Sequence, residues 1–140
     1  MHTAARHLVF HGAIVLLFGL LLGAPYAKAI KREAAAHIVN SWRVAHLSLP
    51  IGATLMLATA AVLSSLAVPA WMPWLIAVSL TVSAYGFCVS TPLAAISGQR
   101  GLSSDGAVGL GKLVYLGNMV GAVASIVGAG ALLVAAFISL

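Results

Sequence analysis

Apolar residues run almost without interruption through four stretches of the chain, roughly Leu8 to Ala27, Val44 to Val68, Pro73 to Ile96 and Lys112 to Ser139. Polar residues do not alternate with apolar ones inside them, and each is about twice the ~10 residues of a barrel strand. Each instead comes near the ~20 residues that carry a helix across ~30 Å of hydrocarbon. In a bilayer core a lone segment satisfies its backbone only as a helix, so the pattern predicts an all-α integral membrane protein, a four-helix transmembrane bundle. The spans consume most of the 140 residues and leave no soluble domain to carry an activity. No internal repeat or low-complexity linker divides the chain, which reads as one domain over residues 1–140.

Local signals set the expected boundaries. Pro25 is expected to end the regular part of helix one, and the Ala-rich segment Glu33 to His37 to begin helix two outside the bilayer. Ser103-Ser104-Asp105 resembles a cap before helix four, in a loop made compact by Gly98, Gly101, Gly106, Gly109 and Gly111. Arg6 and the sequence Ala27-Lys28-Ala29 give the first stretch some likeness to a leader, but His11, Gly12 and the pair Gly19-x-x-x-Gly23 favour a packed helix. Gly12, Gly19 and Gly23, and again Gly117, Gly121 and Gly128, share helix faces that allow close approach. Trp42, Trp71 and Trp74 fall at expected membrane boundaries, as interfacial anchors do.

Composition agrees and narrows the chemistry. A hydrophobic share of 62%, a mean hydropathy of +1.11 and a charged share of 6% are incompatible with an ordinary soluble surface. Lys28, Lys31, Arg32 and Arg43 flank the first connection and Arg100 and Lys112 the third, whereas Ala67 to Met72 carries no charge, so six of the seven basic residues share one side. By the positive-inside rule connections 1–2 and 3–4 face the cytoplasm and both termini lie outside. The net charge of +5 then reads as topology and contact with lipid, and no nucleic acid is expected as a partner. Glu33 and Asp105 are the only acids, both outside the core, which excludes paired-carboxylate catalysis. Cys88 is the only cysteine, reads as a small buried apolar residue, and rules out an intrachain disulfide. No hydrolase, nucleotide-binding or zinc signature is present, so any catalysis must come from a cofactor.

One residue stands out against this background. His46, in Trp42-Arg43-Val44-Ala45-His46, lies about a turn inside the second stretch, where an ionisable side chain is costly unless something pairs with it. It reads as a metal ligand. Cys88 reaches a depth of about two turns from the same side, Tyr115 and Asn118 share a face of helix four, and Thr81, Tyr85 and Cys88 share a face of helix three. Convergence of these groups with His46 on one cavity is the expectation, with Tyr85, Tyr115 and Asn118 as its catalytic candidates. Pro50 and Pro92 free the carbonyls of His46 and Cys88 and favour bends there. His7 and His11, four apart, have a surface metal as one reading, but without a nearby carboxylate or cysteine an interfacial role is favoured. His2 and His37 read as solvent or headgroup residues. A bundle in which His46 merely hydrogen-bonds between helices is a structural alternative. Transport is opposed by the scarcity of buried charge.

These residues resemble the styrene oxide isomerases, small four-helix membrane enzymes that use haem b. The likeness is carried by His11-Gly12 in helix one, Trp42 with Ala45-His46 in helix two, Gly86-Phe87 in helix three and Arg100-Gly101-Leu102 in the following loop. It implies that His46 is the axial ligand of haem iron, with Trp42 beside it and Arg43 and the cationic connection near the propionates. It implies a homotrimer with haem near the protomer boundary, in a bacterial inner membrane. The activity implied is Lewis-acid isomerisation of a small hydrophobic aryl epoxide to an aldehyde, by opening of the benzylic carbon–oxygen bond and a hydride shift with no net redox change. Three substrate-positioning residues of the family are absent: its asparagine after the ligand histidine falls at Gly52 or Ala53, its helix-three aspartate at Leu80 and its helix-three tyrosine at Cys88. The basic excess also differs, lying at the family's termini but in this chain's connections. The alternative is a haem protein without turnover, serving electron transfer, gas sensing or haem handling. His11 is the second ligand by type, although helical rise places it about 20 Å away toward the other leaflet.

Overall fold

A backbone surrounded by apolar side chains has only itself to bond, and the described residues fold accordingly into helices with no strand among them. A computed structural model describes residues 3–103 and 108–140. Its elements are α1 (Thr3–Leu21), α2 (Gly23–Lys31), α3 (Ala36–Leu63), α4 (Trp71–Ser97) and α5 (Leu110–Ile138). Helices α1 and α2 form one stretch, Thr3–Lys31, which with α3, α4 and α5 makes four helices long and apolar enough to cross a membrane. The four spans expected from the pattern are therefore present.

Several boundaries differ from the sequence reading. Pro25 does not end the first span; it sits in the first turn of α2, where its missing N–H costs nothing, and the interruption falls before it at Leu22. Leu22 N–H still donates to Phe18 O (3.2 Å) and Tyr26 N–H to Leu22 O (3.2 Å), so the chain stays helical to Lys31. Helix α3 starts outside the apolar stretch as expected but ends at Leu63, with Ser64 as its C-cap, rather than at Val68. Helix α5 starts after Gly109 (φ 59°), not after Ser103. Ser104 and Asp105, the rest of the expected cap, lie outside the described residues. Pro50 and Pro92 are carried inside unbroken helices.

Lipid supplies no hydrophobic drive between helices, so close backbone approach and interhelical hydrogen bonds must hold them. Helices α1, α3 and α4 pack on one another, α2 extends α1 along α3, and α5 rests on α4 alone. At the α1–α3 crossing a Cβ on Gly19 would meet Pro50 Cδ at 2.5 Å and Leu49 Cβ at 2.9 Å. At the α4–α5 crossing a Cβ on Gly86 would meet Gly117 O at 2.8 Å and Gly121 N at 2.9 Å. Buried Ser83 Oγ fastens the same pair by donating to Gly121 O (2.8 Å). Leu8, Val15, Met56, Leu63 and Ile76 fill the interior of the three-helix part. The outward face of α5, with Val123, Ile126, Leu133 and Phe137, is exposed, as a lipid-facing helix requires.

Candidate functional site

The carbonyls of a helix's last turn are open to outside donors, and His46 uses one of them. Its Nδ1 lies 3.0 Å from Gly19 O in the last turn of α1. A carbonyl only accepts, so Nδ1 carries a proton and donates, and in the neutral imidazole the lone pair is then on Nε2. Glycine makes the arrangement possible twice: Gly19 lets α3 approach, and a Cβ on Gly23 would stand 3.0 Å from His46 Cε1. Tyr26 of α2 lies beside the imidazole, ring centroids 6.0 Å apart and planes tilted by 31°. The ring is thus half-buried at the α1–α2 junction.

The principal cavity lies elsewhere. Helix α5 touches α4 but not α3, and the space between α3 and α5 is a cleft of about 480 Å³ floored by α4. Val44, Ser48, Ile51, Gly52 and Leu55 line it from α3, Leu80, Ser83, Phe87 and Thr91 from α4, and Asn118 and Ser125 from α5. The hydroxyls of Ser48, Ser83, Thr91 and Ser125 all donate to backbone carbonyls, at 2.6, 2.8, 2.8 and 2.7 Å. Asn118 Nδ2 donates to Arg100 O (3.1 Å) and Gly101 O (3.4 Å), which fixes the amide with Oδ1 as the remaining acceptor. A second, more polar cavity of about 300 Å³ shares Val44, Thr91 and Asn118 with the cleft and adds Asn40, Ser41 and Arg100.

At about 100° per residue, five of the seven α3 residues lining the cleft, all but Leu49 and Met56, fall on the side of that helix away from His46. The expected single cavity shared by His46 and Asn118 is therefore not formed within one chain. Nor does Tyr85 line the cleft: its hydroxyl is 2.9 Å from His11 Nδ1, facing α1. Thr81 turns the same way, into a pocket of about 240 Å³ with His7, His11 and Trp74. The rings of His7 and His11 stack 6.2 Å apart. Among the described residues no three His, Cys, Asp or Glu side chains gather where a metal could be held. Tyr115 is half-buried outside the cleft, and Cys88 and Trp42 pack against the core. Arg43 is exposed and donates from Nη2 to Asn40 Oδ1 (2.7 Å). His37 is exposed in the first turn of α3, and His2 lies outside the described residues.

Of the positions at which this chain is expected to depart from the isomerase pattern, Leu80 lines the cleft, as does Gly52 of the pair Gly52 and Ala53. Their shared location was invisible in the sequence, as were the roles of Ser48 and Arg100. The spacing of Ser48 from His46, two residues on a helix, was the available sign that α3 presents two separate faces.

The family model described as styrene oxide isomerase matches residues 4–137. No curated protein matches the chain.

Proposed function

As this chain belongs to the styrene oxide isomerase family, we propose that it binds haem b through His46 and isomerises a small apolar epoxide, with connections 1–2 and 3–4 on the cytoplasmic side of a bacterial inner membrane. The observation that carries the reading is the hydrogen bond from His46 Nδ1 to Gly19 O (3.0 Å). A metal-bound imidazole needs its other nitrogen protonated and anchored, and this bond supplies both while leaving Nε2 free to ligate. The donor set thus fits haem iron: one neutral imidazole, kept accessible by Gly23, on an otherwise apolar helix.

When bound, ferric haem supplies a Lewis acid for opening an epoxide carbon–oxygen bond. The chain's own groups do the rest. The hydroxyls in the cleft are committed to carbonyls and Asn118 presents an acceptor, so the lining offers no side-chain proton donor among the described residues. Such a cleft suits a rearrangement that needs no protein acid and is spoiled by water, which traps a carbocation as a diol. Asn118 Oδ1 is left to orient the polar end of the guest.

Because ligand and cleft lie on opposite faces of α3, a complete site needs two copies: His46 of one against the cleft of the next. Two different faces joined head to tail close into a ring when the rotation between copies closes, which suits a homotrimer. The absence of polar side chains at Gly52 or Ala53 and at Leu80 favours the second reading, a haem protein without turnover.

Spectra of the purified holoprotein with and without styrene oxide test both. A Soret band of five-coordinate, high-spin ferric haem together with phenylacetaldehyde formation is the expected result. A six-coordinate low-spin spectrum without product assigns the chain to the second reading, and absence of haem removes both.

A further inference from the structure

Residues four apart stand one above the other on a helix, and His7 and His11 of α1 do so. Their rings stack, centroids 6.2 Å apart and planes within 19° of parallel, so the two imidazoles leave the helix on the same side. Together they line a pocket of about 240 Å³ whose facing wall is α4, with Trp74 and Thr81. No lysine or arginine lines it, so nothing in the wall repels a cation. His46 packs on Gly19, about two turns farther along α1 than His11, which makes this pocket a separate place from the one described above.

Two histidines on one helix face are by themselves no more than a pair of potential ligands. What the fold adds is a partner for one of them. The Tyr85 hydroxyl lies 2.9 Å from His11 Nδ1. A phenol oxygen accepts as well as donates, so it can take the Nδ1 proton and leave the lone pair on Nε2. A metal-ligating imidazole needs such an outer partner, and here α4 supplies as a phenol what the sequence lacks as a carboxylate. Thr81 brings to the same pocket a hydroxyl that makes no hydrogen bond among the described residues and is free to hold a metal-bound water. Trp74, its ring centroid 5.3 Å from that of His7, closes the pocket beside the second imidazole.

We propose that His7 and His11 form a second metal site, for a divalent late first-row transition ion, with Tyr85 as the positioning residue that acts through His11. Imidazole nitrogen suits copper, nickel and zinc, and among these a site of given donors holds Cu(II) most tightly. The site needs no haem and no other copy of the chain.

The test is equilibrium dialysis of the full-length protein in detergent, stripped with EDTA, against Cu(II) alone, with the electron paramagnetic resonance spectrum of the bound ion and the melting temperature recorded for each variant. Wild type should bind one ion at this site with the nitrogen splitting of two imidazoles. His7→Gln and His11→Gln should each weaken binding at least about tenfold, and Tyr85→Phe, which keeps both ligands, about tenfold, the low end for removal of an outer partner. Soret absorbance should be the same in all of them. Equal copper affinity in wild type and the histidine variants overturns the proposal. Copper kept by His7→Gln and His11→Gln but lost by His2→Ala places the ion at the chain terminus and overturns it as well. Loss of the Soret band in His7→Gln or His11→Gln makes these histidines part of the haem site and overturns the separate one.

Discussion

His46→Ala is expected to abolish nearly all haem binding at the proposed site, a fall in affinity of more than the ~10–100-fold usual for removing even an outer-shell partner of a metal ligand. Soret absorbance per unit protein measures it. The alternative role of His46, a brace between α1 and α3 through its bond to Gly19 O, predicts a different outcome. A lost interhelical bond in a membrane bundle is worth roughly 0.6–2 kcal/mol, so the variant would melt somewhat earlier with its spectrum unchanged. His46→Gly with added imidazole separates the two further. Free imidazole entering the vacated space should restore the Soret band, whereas it has nothing to restore if the ring only braced. A variant that keeps its full haem spectrum removes the ligand assignment.

The second large effect is expected at Gly86→Val. The atoms a Cβ would meet there are backbone, Gly117 O at 2.8 Å and Gly121 N at 2.9 Å, and no side chain can rotate out of the way. Overpacking a well-filled contact costs about 1–3 kcal/mol. The cost should fall at the upper end here, because among the described helices α5 packs only on α4 and the Ser83 bond to Gly121 stretches with the same displacement. Because α5 is also one wall of the cleft, the variant should lose haem at temperatures where wild type retains it. Thermal unfolding in detergent, followed by helicity and by the Soret band together, checks both expectations. Gly130→Ala is the control, since a Cβ there meets nothing within 4 Å. Equal melting of Gly86→Val and wild type would remove the role assigned to this crossing.

Span number and helical class were legible because burial in lipid leaves a backbone few choices, and a run of twenty apolar residues states that plainly. Ends of spans were less so. Pro25 was read as a stop, but proline in a first turn is compatible with a helix, and whether a turn is the first depends on where the preceding helix was interrupted. At the site, His46 was conspicuous because its burial has a cost that sequence alone exposes. The error was in direction. Rise per residue gives depth and spacing gives shared faces, so Asn118 and Tyr85 were expected to converge with His46, but neither says which neighbour a helix face meets. Tyr85 faces His11 on α1, Asn118 faces the cleft, and His46 faces Gly19. Likewise the hydroxyls of Ser48, Thr91 and Ser125 in the cleft are spent on their own helices' carbonyls, a tally that needs coordinates.

The back-to-back placement of imidazole and cleft on α3 has a genetic signature. If each working centre borrows one half from either of two adjacent subunits, a strain producing only His46→Ala and a strain producing only a cleft-blocking Gly52→Trp are both dead, yet a cell making the two together is not. Random assembly of equal amounts regenerates about a quarter of the centres, those where an intact cleft happens to follow an intact imidazole around the ring. Two defects in the same polypeptide, mixed with nothing, give none.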